Sequence, residues 1–209
     1  MFDGFELGKP TREAYGEALR DLGRENPDVV VLDADLSKST MTRYFAREFP
    51  DRFFNVGIQE ANMVGMAGGL ALSGKIPFCS SFACFLLCKA YDQIRMAVAY
   101  PGANVKLVGS HGGISIGEDG VSQMAIEDVA LATSFPGMTV LVPADATQTR
   151  EAVFAAARHR GPVYIRVGRP KAPVVYREPA GFQIGRAQLL RDGDDVTLVA
   201  CGLMVAAAL

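Results

Sequence analysis

The stretch Val29-Val30-Val31-Leu32-Asp33-Ala34-Asp35 decides the fold: four consecutive apolar residues, three of them β-branched, run without alternation into a pair of acids. A strand apolar on both sides is buried on both sides, which points to a parallel sheet covered by helices on each face. The same texture returns at Ile76-Pro77-Phe78-Cys79 and at residues 105–109, 139–142 and 163–167, with 53–56 a further strand candidate. Helical patterns separate them. Residues 11–24 place Ala14, Ala18 and Leu22 on one face, with Thr11 as a candidate cap and Glu13 in the first turn. Further helices are predicted at 42–48, 59–72, 82–99, 126–133 and 146–158. Alternation of this kind implies the α/β class: a doubly wound parallel sheet with helices on both faces and right-handed crossovers. Ligands then belong at the carboxyl ends of the strands. Asp33, Asp35, Gly57 to Glu60, Phe82, His111 and Arg169 all fall just past predicted strand ends.

The 209 residues suffice for one large domain or two small ones. Apolar residues are 49% and charged residues 21% of the chain, ordinary proportions for a globular protein and wrong for a disordered one. The longest apolar runs, near 82–87 and 125–132, are interrupted well before the roughly 18 residues a membrane span needs. A net charge of −2 with no basic stripe argues against nucleic acid. Cys79, Cys84, Cys88 and Cys201, with only two histidines, fit no common zinc spacing and read as thiols in a reducing cytoplasm. The start of the chain lacks a signal-peptide pattern, so a cytoplasmic protein is expected.

After Arg169 the texture changes. Prolines at 170, 173 and 179 with Gly181 mark 170–184 as a linker between a domain at 1–169 and a second unit at 185–209. Within that unit, 185–190 and 195–201 read as strands and 202–209 as the first turns of a helix. A helix so short leaves its apolar face uncovered, which predicts the truncated start of a second α/β domain.

Several residues carry two readings. Glu60 opens an apolar helix, where an acid complements the helix dipole; the same position at a strand end would let a carboxyl share a proton with a ligand nitrogen. Phe82 and Phe85, one turn apart, suit either core packing or a platform for a flat ring. The segment from His111 to Gln123 is unlike core: four glycines, two acids, a His and a Gln in 13 residues expose backbone amides and polar side chains to a ligand. His159, between Arg158 and Arg160, reads as a surface residue. No Gly-x-Gly-x-x-Gly fingerprint and no phosphate loop with a Lys occurs.

In order along the chain, Asn55-Val56-Gly57-Ile58-Gln59-Glu60-Ala61-Asn62-Met63-Val64, Pro77-Phe78-Cys79-Ser80-Ser81-Phe82-Ala83-Cys84-Phe85, Ala90-Tyr91-Asp92-Gln93-Ile94-Arg95-Met96-Ala97 and Gly109-Ser110-His111 leading into Ser115-Ile116-Gly117-Glu118-Asp119-Gly120 resemble the transketolase family. The resemblance runs from Thr11 to the last residue, and Gln123 is similar to the animal-type branch. It implies a thiamine diphosphate enzyme, with this chain corresponding to the aminopyrimidine-binding domain and a stub of the C-terminal one. The family's Gly-Asp-Gly metal pattern is missing, since Asp192-Gly193-Asp194 has the wrong order. The implied protein is therefore the C-terminal subunit of a split transketolase, whose N-terminal partner binds the diphosphate and Mg²⁺.

The resemblance also assigns roles. Glu60 matches the glutamate that hydrogen-bonds N1′ of the aminopyrimidine; Phe82 and Phe85 match the aromatics of its pocket. Ile58 and Leu36 match apolar positions near that ring, and Asp35 an acid of the shared interface. Arg12, Ser39, His111 and Arg169 match positions that bind the sugar phosphate, and Asp119 the acid that reads substrate hydroxyls. Gln123 stands where many microbial members have a His. Val121 departs from the usual Pro of its motif. The implied reaction moves a two-carbon ketol unit from a ketose phosphate to an aldose phosphate, in a homodimer or a heterotetramer. Two alternatives remain at this stage: a deoxyxylulose-phosphate synthase-like carboligase and a non-catalytic scaffolding paralogue.

Overall fold

The computed structural model describes residues 4–209. Eight strands are formed: β1 (Leu7–Pro10), β2 (Val29–Asp33), β3 (Phe53–Asn55), β4 (Ile76–Phe82), β5 (Lys106–Ser110), β6 (Thr139–Leu141), β7 (Val163–Arg166) and β8 (Lys171–Pro173). The helices are α1 (Thr11–Glu25), α2 (Ser37–Thr40), α3 (Arg43–Glu48), α4 (Glu60–Leu72), α5 (Tyr91–Gln93), α6 (Asp128–Thr133), α7 (Ala146–Arg158) and α8 (Met204–Ala208). Six strands make one sheet in the order β3-β2-β4-β5-β7-β6, parallel at every neighbour. The chain winds outward from β2 to β3, then crosses back to place β4 on the other side of β2. That reversal is a topological switch point, the place at the carboxyl ends of the strands where open α/β sheets bind ligands.

The unbroken apolar runs serve both faces, as their composition requires. Val31, Phe78, Val108 and Ile165 point into a core shared with Tyr15 and Leu19 of α1, Phe45 of α3 and Val153 of α7. Their chain neighbours Leu32, Cys79, Leu107 and Tyr164 point into the opposite core, with Met63 and Ala67 of α4, Leu86, Ile94 and Phe135. Residues one apart on a strand face opposite ways, so one strand seeds two cores.

Some boundaries differ from the sequence-based expectation. Thr11 is the first helical residue rather than a cap; its Oγ1 accepts the Gly168 N–H at 2.7 Å and ties α1 to the far end of the domain. The helix expected from residue 82 starts later, because Ser80, Ser81 and Phe82 stay paired with Val108, Gly109 and Ser110. The helical run that follows is wide: Phe85–Lys89 and Ile94–Ala99 are π-helical on either side of α5.

The stretch 170–184 is docked on the domain. β8 pairs antiparallel with β1, the Val175 and Tyr176 amides donate to Asp145 Oδ2 at 2.9 and 2.6 Å, and Glu151 accepts from the Ala180, Gly181 and Phe182 amides. The strands expected at 185–190 and 195–201 do not form. A strand exists only against a neighbour that satisfies its backbone groups, and here Val199 stands 91% exposed. The expected helix does form as α8, yet its apolar side is covered in part: Val205 and Ala206 are buried, and the Gly202 amide donates to Val142 O at 2.9 Å.

At the amino edge of the sheet Lys106 is buried and donates to Asn104 Oδ1, His159 O and Gly161 O at 2.7, 2.8 and 2.8 Å. Burial lowers its pKa to about 7. It pins β5 to the turn before β7, far from the edge where the candidate residues gather.

Candidate functional site

Asp35, Glu60, His111 and Arg169 follow β2, β3, β5 and β7, and Phe82 is the last residue of β4, so parallel strands deliver all five to one edge. Gly57, at φ 73, makes the turn that aims the chain from β3 into α4. Glu60 then starts α4 and is only 2% exposed. Its Oε1 accepts from Ser81 Oγ at 2.9 Å and its Oε2 lies 3.3 Å from Lys89 Nζ. A carboxylate serving only the helix dipole would stay in water, since burying a charge is costly without partners.

Beside Glu60 stands a stack of rings. Phe85 and Phe82 lie 5.5 Å apart at 17°, and Phe82 and His111 3.9 Å apart at 27°. Leu36 packs against this cluster together with Cys84 and Ala125. Phe82 is buried inside the stack, so the half-buried Phe85 is the ring with accessible surface. Lys89 Nζ rests 4.3 Å from the Phe85 centroid. One ammonium therefore touches both the carboxylate and the ring.

The second group is cationic. Arg12 Nη1 donates to Ser39 O at 2.9 Å and lies 3.3 Å from His111 Nε2. A guanidinium can only donate, so Nε2 accepts; the ring proton then sits on Nδ1 and is donated to Ser110 Oγ. Burial first, then the charges of Arg12 and Arg169, hold the His111 pKa at about 3, so the ring is neutral. Arg12 is itself pushed down by burial, Arg169 and Arg43, with Glu13 and Asp119 opposing. Arg169 donates through Nη1 to Ile116 O at 2.6 Å, pairs with Glu118, and lies 3.4 Å from Asp119 Oδ2. Two guanidiniums whose charges both bear on His111 suit an anion, which guanidinium forks bind well.

Other expected residues are placed less centrally. Ile58 is 70% exposed and stands apart from the ring stack. Asp35, at φ 65, exchanges hydrogen bonds with Asn55: its amide donates to Asn55 Oδ1 at 3.1 Å, and Asn55 Nδ2 donates to its Oδ1 at 3.0 Å. Gln123 ends a short 3₁₀ turn; its Oε1 accepts from Ser122 Oγ at 2.5 Å, and its carbonyl accepts the Cys84 thiol at 3.2 Å.

Sequence reasoning assigned no role to four contributors. Lys89 looks like an ordinary surface lysine. The charge of Arg43 opposes that of Arg12, and its Nε has no partner among the described residues. Asp33 is buried and accepts from the Leu36 amide, Thr40 Oγ1 and Thr42 Oγ1 at 2.6, 2.7 and 2.8 Å, which shapes the turn carrying Leu36 and Ser39. Burial pushes that carboxyl up while the three donors pull it down. Asp128 lies fully buried at the start of α6. Only Asp33 had a visible signal, its place at a strand end. Among the described residues no cluster of His, Cys, Asp and Glu has the make-up of a metal site.

Fold and site together define a doubly wound α/β domain that presents a buried carboxylate, a ring stack and a pair of arginines at the carboxyl edge of its sheet. Residues 8–174 match the family model described as the transketolase pyrimidine-binding domain. The chain belongs to the transketolase family. It is 48% identical over 203 residues to a Methanocaldococcus jannaschii protein named as a transketolase C-terminal section, covering 96% of this chain and 64% of that protein. It is 45% identical over 202 residues to human transketolase, covering 95% of this chain and 32% of the human one. A solved structure described as a split-gene transketolase, inactive beta4 tetramer, superposes with a TM-score of 0.87 at 53% identity, covering 96% of this chain and 65% of that one. The chain thus spans just under two thirds of the split relatives and a third of the human enzyme.

Proposed function

We propose that this chain acts as the C-terminal subunit of a split, thiamine diphosphate-dependent transketolase. In this reading it works with a separate N-terminal subunit that holds the diphosphate and Mg²⁺, in a homodimer or heterotetramer in the cytoplasm. Residues 1–169 form its pyrimidine-binding domain, 170–184 lead out of it, and 185–209 begin the C-terminal domain. The observation that carries the reading is the buried Glu60 carboxylate beside the accessible ring of Phe85, with Lys89 touching both. The ammonium makes the two contacts an aminopyrimidine needs, one to a carboxylate and one to an aromatic face. A flat nitrogen heterocycle therefore fits the donor set.

Glu60 would hold a proton at the ring nitrogen facing it, and Ser81 keeps the carboxylate oriented by donating to the other oxygen. Phe85 would carry the ring, backed by Phe82, while Leu36 excludes water from one side. When bound, the cofactor supplies the electron sink that lets a carbon–carbon bond next to a carbonyl break and reform. Arg12, Arg169 and the Ser39 segment would hold the phosphate of a ketose or aldose. Neutral His111 would orient the substrate, Asp119 would read its hydroxyls, and Gln123 would face the reacting carbons.

The test is ketol transfer from xylulose 5-phosphate to ribose 5-phosphate with thiamine diphosphate and Mg²⁺. The chain, extended through its C-terminal domain, is assayed alone and with a diphosphate-binding subunit. Activity only in the mixture supports the reading. A mixture that binds cofactor but transfers no ketol unit from any ketose phosphate rules it out.

A further inference from the structure

His111 holds a left-handed backbone at φ 61, a conformation that costs a residue with a Cβ and persists only where its surroundings impose it. Its neighbours in the chain show what imposes it. A Cβ on Gly109 would collide with Tyr164 Oη, and one on Gly112 with Arg166 Nε. The backbone on both sides of His111 is thus pressed against two side chains of β7. Tyr164 and Arg166 are two apart on that strand and share a face, and both turn to Asp128 at the start of α6. Tyr164 Oη donates to Asp128 Oδ2 at 2.6 Å, and Arg166 Nε lies 3.0 Å from the same oxygen as an ion pair rather than an aligned hydrogen bond. Arg166 Nη2 continues to Ala125 O at 2.7 Å, and the Gly113 amide donates to that oxygen at 2.8 Å. Asp128 is fully buried, with Oδ1 unpartnered among the described residues.

We propose that Tyr164, Asp128 and Arg166 form a positioning network that clamps residues 109–113 and thereby fixes the His111 ring between Phe82 and Arg12. None of the three touches the candidate substrate site; they act through the backbone they support. The proposal rests on the reading of His111 as a substrate-site residue, but its test does not need activity. The chain has two histidines, so His159→Gln assigns the His111 ring signals in a ¹⁵N NMR titration. The groups facing that ring are Arg12, Arg169, Ser110 and Phe82; burial first, then the two arginine charges, hold it neutral down to about pH 3. In folded Arg166→Gln and Gly112→Ala chains the ring leaves this environment, and its titration midpoint rises by about one pH unit or more towards the ordinary value of about 6.5. Arg166→Lys, which keeps the charge facing Asp128, recovers part of that rise. Tyr164→Phe removes one hydrogen bond without changing shape and gives a smaller shift in the same direction, so a failure of Arg166→Gln to fold leaves the question decidable. An unchanged His111 titration in folded Gly112→Ala and Tyr164→Phe chains overturns the network. Absence of ketol transfer by the wild-type complex, by contrast, removes the functional reading and leaves the NMR result standing.

Discussion

Lys89→Met is the perturbation that best separates a ligand site from a structural ion pair. In the chain alone, Lys89 Nζ sits 3.3 Å from Glu60 Oε2 and 4.3 Å from the Phe85 centroid, so it must leave before a pyrimidine can use either group. Two charges at that distance attract by about 5 kcal/mol at an effective dielectric constant of about 20, an upper bound for the pair. The Lys89 side chain is 48% exposed, which brings the pair down to the range of about 0.2–1 kcal/mol measured for solvated partners. The ring contact adds about 0.5–1 kcal/mol. Releasing the lysine therefore costs about 1–2 kcal/mol, equivalent to roughly 5–30-fold in affinity. Lys89→Met is expected to tighten thiamine diphosphate binding to the reconstituted complex by that factor, read by isothermal titration calorimetry. Lys89→Arg, which keeps both contacts, is expected to leave it near wild type. Weaker or unchanged binding in Lys89→Met would refute the argument that lysine and pyrimidine occupy the same place.

Three further outcomes follow from the geometry. Arg12→Ala and Arg169→Ala each remove a charged donor to a phosphate, so each raises KM for a sugar phosphate by about 10–100-fold, corresponding to about 1.5–3 kcal/mol, and barely changes KM for the unphosphorylated sugar; equal losses on both sugars would count against a phosphate cradle. His111, held near 3 when folded against about 6.5 when unfolded, takes up a proton only in the unfolded chain across that window, so stability falls as the pH drops from about 6.5 towards 3 with a slope of at most about 1.4 kcal/mol per unit; urea unfolding of His111→Gln should lose that slope, and retention of it would assign the effect to other groups. Lys106→Met strips the His159 and Gly161 carbonyls of their donor, leaving Asn104 Oδ1 only the Gly161 amide, and is expected to destabilise the chain by about 3–5 kcal/mol in the same assay without moving cofactor affinity; a change under about 1 kcal/mol would show that the buried Lys106 is not an effective pin.

The parallel sheet was legible because burial on both faces leaves a mark that needs no partner to be read: Val29-Val30-Val31-Leu32 has no polar side. Helix α7 was legible to the residue, since Asp145 caps it by accepting the Gln148 amide at 2.9 Å and its apolar period is regular. β1 and β8 were invisible because they are short and owe their existence to each other across the whole domain. At 195–201 the opposite error arose: an apolar run looks like a strand whether or not another strand lies beside it.

For the site, the strand-end rule singled out Glu60, Phe82, His111 and Arg169, which lie at the carboxyl edge of the sheet. It could not reveal Lys89 beside Glu60, a contact across 29 residues, nor Asp128 beneath Tyr164 across 36. Such pairings depend on where helices pack after the sheet is built. Ile58 shows the converse limit: a position matched by resemblance stands in solvent in this chain alone.

The most direct measurement of the central claim is ketol transfer and thiamine diphosphate affinity for Glu60→Gln beside wild type in the reconstituted complex. A glutamine keeps the shape and the Ser81 contact but cannot carry the shared proton. Glu60 as the pyrimidine partner predicts a loss of about 100-fold or more in kcat, the upper part of the range for removing a general acid–base group, with affinity changed far less. Wild-type turnover in Glu60→Gln would contradict it, whatever else the crevice binds.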